Sequence, residues 1–172
     1  MKNNNYSIRY EFLFPDGDKK EFELLLDEAT MSLVNFNSKS KPQWAKLTHE
    51  QCRCCPLSED DSPYCPVAVN IAELVDNFKD RLSTEECLVK CISPERTCMK
   101  DTRINSGLYS ILGIIMATSD CPVMDFYKPM ARFHLPFSTT KETLFRSASV
   151  YLLQQFFEYK RGGHPDLEMK QL

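Results

Sequence analysis

The sequence has no run of basic residues, no long apolar stretch and little glycine, and each shortage narrows what the chain can be. Lys and Arg number 21 against 24 Asp and Glu, a formal charge of −3, which leaves no electrostatic footprint for nucleic acid or for an anionic membrane. The longest apolar stretch, 108–117, falls short of the roughly 18 to 20 residues that span a bilayer and contains Tyr109, Ser110 and Gly113. Five glycines and ten prolines in 172 residues exclude collagen-like, linker-like and low-complexity chains. The first residues, one lysine followed by asparagines, lack the apolar centre of a secretory signal, so a reducing cytoplasm is expected. A glycine-rich phosphate loop, an HExxH pair and a nucleophile elbow are all missing, so no well-marked enzyme chemistry has support.

What is present begins with alternation. Tyr6, Ile8, Tyr10, Phe12 and Phe14 alternate with more polar neighbours, Pro15 to Asp18 supply a turn, and Phe22, Leu24 and Leu26 resume the pattern, predicting a β-hairpin with one buried face. A third extended segment is expected at Met31 to Phe36, and this β-rich part, 1–47, closes near Trp44. Helical spacing of Val67, Ile71, Leu74, Val75, Phe78 and Leu82 predicts a helix over 66–82, with Pro66 at its first position and Cys65 just outside.

Glu86 to Ile92 and Thr97 to Lys100 flank Ser93 to Arg96 and read as a second hairpin, with a short helix as the alternative. Asn105 or Ser106 can cap an apolar helix running to Thr118, in which Gly107 and Gly113 suit close packing. The three prolines and several aromatics of 122–137 predict an ordered irregular connection or short helical turns, long enough to suspect function. Thr139 and Glu142 form a capping box for a helix to about Arg161. Its apolar residues cover more than one stripe, so it is either central or shared with a partner. Gly162 and Gly163 stop it, and the tail 162–172 reads as the start of another helix or as a segment that docks elsewhere. The whole is an α+β protein: the β module, then a mainly helical portion, 48–161.

Eight cysteines are about 5% of the chain, too few for a disulfide-stapled secreted domain and many for a reducing compartment. Cys52 and Cys55 have the C-x2-C spacing that lets two thiolates on one turn reach a single ion. Cys65 and Cys121, each followed by proline, can complete four sulfur ligands. Such a set suits Zn²⁺ or an iron–sulfur cluster, and zinc fits a structural site better because the close cysteine run of bacterial ferredoxins is missing. Cys54 and His134 are alternate ligands; a lone histidine among apolar neighbours otherwise reads as a hydrogen-bonded core residue. If Ser93 to Arg96 is a two-residue turn, Cys91 faces Cys98 with Cys87 on the same sheet face, where the three are small buried hydrophobes or a redox pair. Asp120, Asp125, Arg132 and His134 flank Cys121, the residues from which a nucleophile and base would be drawn. Met116, Met124 and Met130 read as core filler.

The Tyr10 to Asp27 hairpin, the Cys52/Cys55-Pro56-Leu57 and Cys65-Pro66 pairs, the Ser93 to Thr97 turn, and the run from Met116 through Cys121-Pro122 to Pro129-Met130-Ala131-Arg132-Phe133-His134-Leu135-Pro136-Phe137 resemble a family of small bacterial proteins. The likeness covers nearly the whole chain. It supports grouping Cys52, Cys55, Cys65 and Cys121, sets Cys87, Cys91 and Cys98 apart as features of this sequence, and carries no established activity. Two functions are therefore expected. One is a metal-stabilised, non-enzymatic module that binds a protein partner or a second copy through the 140–161 helix. The other is an iron–sulfur or thiol-based redox protein, sensor or enzyme using Cys121 or Cys54.

Overall fold

The alternating apolar residues of the N-terminal hairpin need a layer to cover them, and the helices supply it. A computed structural model describes residues 5–35, 41–170 and 172. Strands β1 (Asn5–Leu13) and β2 (Lys19–Asp27) pair antiparallel, setting Tyr10 opposite Phe22 and Ile8 opposite Leu24. At the turn between them the Phe14 N–H donates to the Asp18 carbonyl at 3.0 Å, and Gly17 takes φ 90°, the left-handed region that glycine enters at little cost. The α+β expectation and the N-terminal hairpin are both present.

Helix α1 spans Pro66–Phe78, followed by strands β3 (Glu86–Ile92) and β4 (Thr97–Arg103), then helices α2 (Ile104–Thr118), α3 (Lys128–Arg132) and α4 (Thr140–Lys160). The second hairpin therefore forms, and it joins the first. Strand β3 pairs antiparallel with β1, Cys91 against Tyr10 and Val89 against Phe12, giving one sheet of order β2-β1-β3-β4 built from both sides of residue 47. One face of the sheet, including Ile8, Tyr10, Phe12, Leu24, Leu26, Val89 and Cys91, is buried with Ile104, Ile111, Ile114 and Ile115 of α2 and Leu74 and Phe78 of α1. Phe12 and Phe78 meet edge to face at 4.8 Å between ring centroids.

Several local readings are revised. The Met31 to Phe36 strand reduces, over 31–35, to one isolated bridge of Leu33 with Leu26; Phe36 lies outside the described residues. Asp27 explains the interruption, since its carboxylate accepts from the Ala29 and Thr30 N–H groups and folds the chain into a turn before Met31 at φ 59°. Helix α1 stops at Phe78 rather than Leu82, because Arg81 turns back to pair with Asp16 at 2.7 Å, with Asp18, and with Glu85 at 3.1 Å.

Helix α2 starts at Ile104 without a side-chain cap from Asn105 or Ser106. Backbone carbonyls do that work: the Ile104 N–H donates to Glu85 and the Asn105 N–H to Ser83. The capping box at Thr139 and Glu142 is present, and α4 ends where Gly162 adopts φ 82°. The tail forms no helix among the described residues and docks back on α4, with the Tyr151 hydroxyl donating to the Asp166 carboxylate at 2.8 Å and the Asp166 N–H donating to the Gln155 side-chain oxygen at 2.8 Å.

The two glycines of α2 do different things. A Cβ on Gly107 would lie 2.5 Å from Phe12 Cε1 and 3.2 Å from Val89 Cγ1, so its bareness lets the helix seat on the sheet; a Cβ on Gly113 would meet nothing within 4 Å. Gly107→Ala should therefore destabilise by about 1–3 kcal/mol through overpacking, despite alanine's higher helix propensity. Gly113→Ala should stabilise by up to about 1 kcal/mol. Urea unfolding of the two variants checks the pair, and equal effects would contradict this packing.

Candidate functional site

The segment 43–47 pairs with 63–65 and closes a loop that carries three cysteines. The Leu47 N–H donates to the Pro63 carbonyl and the Cys65 N–H to the Ala45 carbonyl, at 3.0 and 2.9 Å. Within that loop the Cys55 N–H donates to the Cys52 carbonyl at 3.0 Å, so the C-x2-C segment is a hydrogen-bonded turn, with Cys52 and Cys54 exposed. Cys65 sits at the N-cap of α1, ahead of Pro66 as the sequence suggests, and its carbonyl accepts from Val69. Cys121 follows α2, and its carbonyl accepts from the Met124 and Asp125 N–H groups. Among the described residues, no group of three or more His, Cys, Asp and Glu side chains is placed to hold a metal ion.

The second cysteine group takes the expected register: Cys91 faces Cys98, and Cys87 shares the buried face with Cys91. All three are free thiols. Burial pushes the Cys91 thiol up to about 11 and raises Cys87 as well, so both keep their protons at neutral pH and behave as small hydrophobes.

The charged groups around Cys121 are engaged in the fold. Lys128 bridges Asp120 at 3.0 Å and Asp125 at 2.6 Å; Arg132 pairs with Glu95 at 2.9 Å and stacks 4.1 Å from the Tyr6 ring. His134 Nε2 lies 2.5 Å from the Tyr10 hydroxyl, the hydrogen-bonded core role expected of a lone histidine in an apolar run. Burial, with Arg146 nearby, lowers its pKa to about 4, so the ring is neutral at pH 7.

Two features escaped sequence reasoning in part or whole. The first is a cleft of about 650 Å³ between α2 and α4, floored by the 124–137 segment. Gly113, Met116, Met124, Met130, His134 and Arg146 are among its walls. The Arg146 Nη2 group donates to the carbonyls of Met130 at 3.0 Å and Phe133 at 2.6 Å. The only sequence signal was a lone cation inside an apolar run, a pattern that more often marks a solvated position.

The second feature is the outer face of α4. The helix packs on α3 and on the 3₁₀ turn Asp125–Tyr127, and Tyr151 is its one buried residue among those described. Its apolar coverage on more than one stripe was legible, and the structure shows which stripe is left over. Phe145, Leu153 and Tyr159 are 74%, 55% and 64% exposed, and Leu144, Leu152, Phe156 and Phe157 are exposed with them. Among the described residues no helix is long and apolar enough to cross a membrane.

A family profile described as a domain of unknown function (DUF6901) matches residues 8–172. The chain belongs to that family. No curated protein and no solved structure matches it. The family match takes in every cysteine, the whole cleft and all of α4.

The His134 environment sets a pH dependence. Unfolded, the ring takes a proton near its ordinary value of 6.5; folded, it resists until about 4. The unfolded state therefore binds more protons in that window, and stability should fall as pH drops from about 6.5 to 4. His134→Gln should flatten this part of the profile, read as urea midpoints across the window. An unchanged slope in the variant would show that the ring titrates alike in both states.

Proposed function

We propose that this protein is a binding module that works as a pair, with α4 of one copy lying antiparallel on α4 of another. The observation that carries the reading is that α4 is apolar around most of its circumference while the fold buries only one side of it. A helix apolar on all sides ordinarily has neighbours on all sides. Opposite the Tyr151 side, Phe145, Ser149, Leu152, Phe156 and Tyr159 recur at intervals of four and three, the spacing of a seam between paired helices.

A second copy is the occupant this seam suits. Two-fold antiparallel pairing about Leu152 sets Phe145 of one copy opposite Tyr159 of the other. It separates the two basic ends, Lys160 and Arg161, which parallel pairing would bring together, and it opposes the helix dipoles favourably.

Metal stabilisation is a second reading, supported by the hydrogen-bonded Cys52–Cys55 turn, in which Cys52 and Cys54 are exposed. Zinc held by Cys52, Cys55, Cys65 and Cys121, with Cys54 or His134 as substitutes, would draw the 48–62 loop toward the start of α1 and the end of α2. An iron–sulfur cluster on the same thiolates is the redox form of this reading.

Light scattering at about 100 μM protein should give twice the 19.9 kDa chain mass, and Leu152→Glu with Phe156→Glu should return it to one chain. Both positions are exposed in the single copy, so the double variant should stay folded, with a stability change of about 0.5 kcal/mol per site or less. A wild-type mass of one chain would overturn the paired reading. Elemental analysis of protein purified without oxygen addresses the second reading. About one zinc per chain, lost together with thermal stability in Cys52→Ser/Cys55→Ser, supports it. Iron with visible absorption supports the cluster instead, and folded, metal-free protein overturns both forms.

A further inference from the structure

The α2–α4 cleft has the size of a small-molecule site, about 650 Å³ where such sites run from roughly 300 to 1,000 Å³. Its charge is one-sided. Lys100 and Arg146 are among its lining residues, neither Asp nor Glu is, and His134 is neutral at pH 7. The rest of the lining is largely apolar and includes three methionines, Met116, Met124 and Met130, whose unbranched, polarizable side chains adapt to varied ligand shapes.

Arg146 is the half-buried cation of the cleft. Its Nη2 is committed to two backbone carbonyls, which fix the guanidinium in place. Its other N–H groups have no acceptor among the described residues, and no carboxylate among them lies within ion-pair distance. Burial lowers its pKa from the ordinary value, and the Glu142 carboxylate one helical turn away, outside ion-pair distance, offsets only part of that shift. With Nη2 engaged, the Nη1 amino group and the Nε–H remain as donors, each able to give a charge-assisted hydrogen bond to an anionic oxygen.

We propose that the cleft binds a small amphipathic carboxylate, its carboxylate on Arg146 and its alkyl or aromatic body against Met116, Met124 and Met130. Gly113 is what makes room for that body. It lies on the α2 wall, and a Cβ added there would meet no protein atom within 4 Å, so the bare position leaves open volume rather than relieving a clash. The proposal is independent of the paired reading, since neither Gly113 nor Arg146 belongs to the outward seam of α4.

Calorimetric titration of the full chain with decanoate and with 2-naphthoate tests it, each against decyltrimethylammonium. One of the two acids should saturate at one site per chain, at least about tenfold more tightly than the cation, and which acid wins distinguishes an alkyl from an aromatic ligand. Arg146→Met and Gly113→Leu should each weaken that acid by about tenfold or more. Arg146→Met also removes two backbone contacts, so Gly113→Leu, which fills open space on a helix, is the deciding variant. Gly113→Leu that melts like the wild type and binds the acid unchanged would overturn the proposal. Failure of both acids to saturate by about 1 mM, or equal binding of the cation, would do the same.

Discussion

Strand β1 is hydrogen-bonded on both edges, to β2 across a local turn and to β3 across more than seventy residues of chain, and the remaining architecture hangs from that double pairing. It brings Tyr10, Phe12, Val89 and Cys91 into one apolar surface, and α2 lies on this surface because Gly107 presents no Cβ to Phe12. The seat of α2 in turn fixes where Gly113 and Met116 stand, which is one wall of the cleft. Arg81 reinforces the join between the hairpins by gripping Asp16 and Asp18 in the first turn and Glu85 ahead of β3, with its guanidinium 4.2 Å from the Phe14 ring. Exposed ion pairs contribute little singly, but here one cation ties three carboxylates from two parts of the chain.

Helix α4 belongs to this framework only at one remove. It rests on α3 and the Asp125–Tyr127 turn, and it is held through Arg146, Gln154 bonded to the Phe126 carbonyl, and the Tyr151 ring edge-on to Phe126. These bonds are mostly polar, whereas the helix surface is mostly apolar. The two sides of α4 thus differ: the inner side, with Arg146, completes a cleft, and the outer side leaves aromatic and aliphatic side chains in water. Both features lie within the family-wide segment, and the two are compatible because they occupy different faces.

The cysteines divide by environment rather than by spacing. Cys87 and Cys91 lie on the buried face of a strand, where desolvation keeps them protonated, while Cys52 and Cys54 are exposed on a loop. The C-x2-C turn forms locally, as its spacing implies. Whether distant thiols converge on it depends on how the 48–62 loop lies against α1 and α2, and residue spacing carries no information about that.

The elements themselves were readable because their signals are local. Period-two alternation defined the first hairpin, the Ser93–Arg96 turn placed Cys91 opposite Cys98, Pro66 marked the start of α1, and Thr139 with Glu142 marked the start of α4. Each of these interactions closes within a few residues. Tertiary structure alone decided the rest: α2 was capped by carbonyls of 83 and 85 rather than by its own side chains, and the two hairpins became one sheet. The cleft is the clearest case. Gly113 and Arg146 are 33 positions apart, and they line one cleft only because α2 is seated on the sheet and α4 is held across from it by contacts that no local pattern encodes.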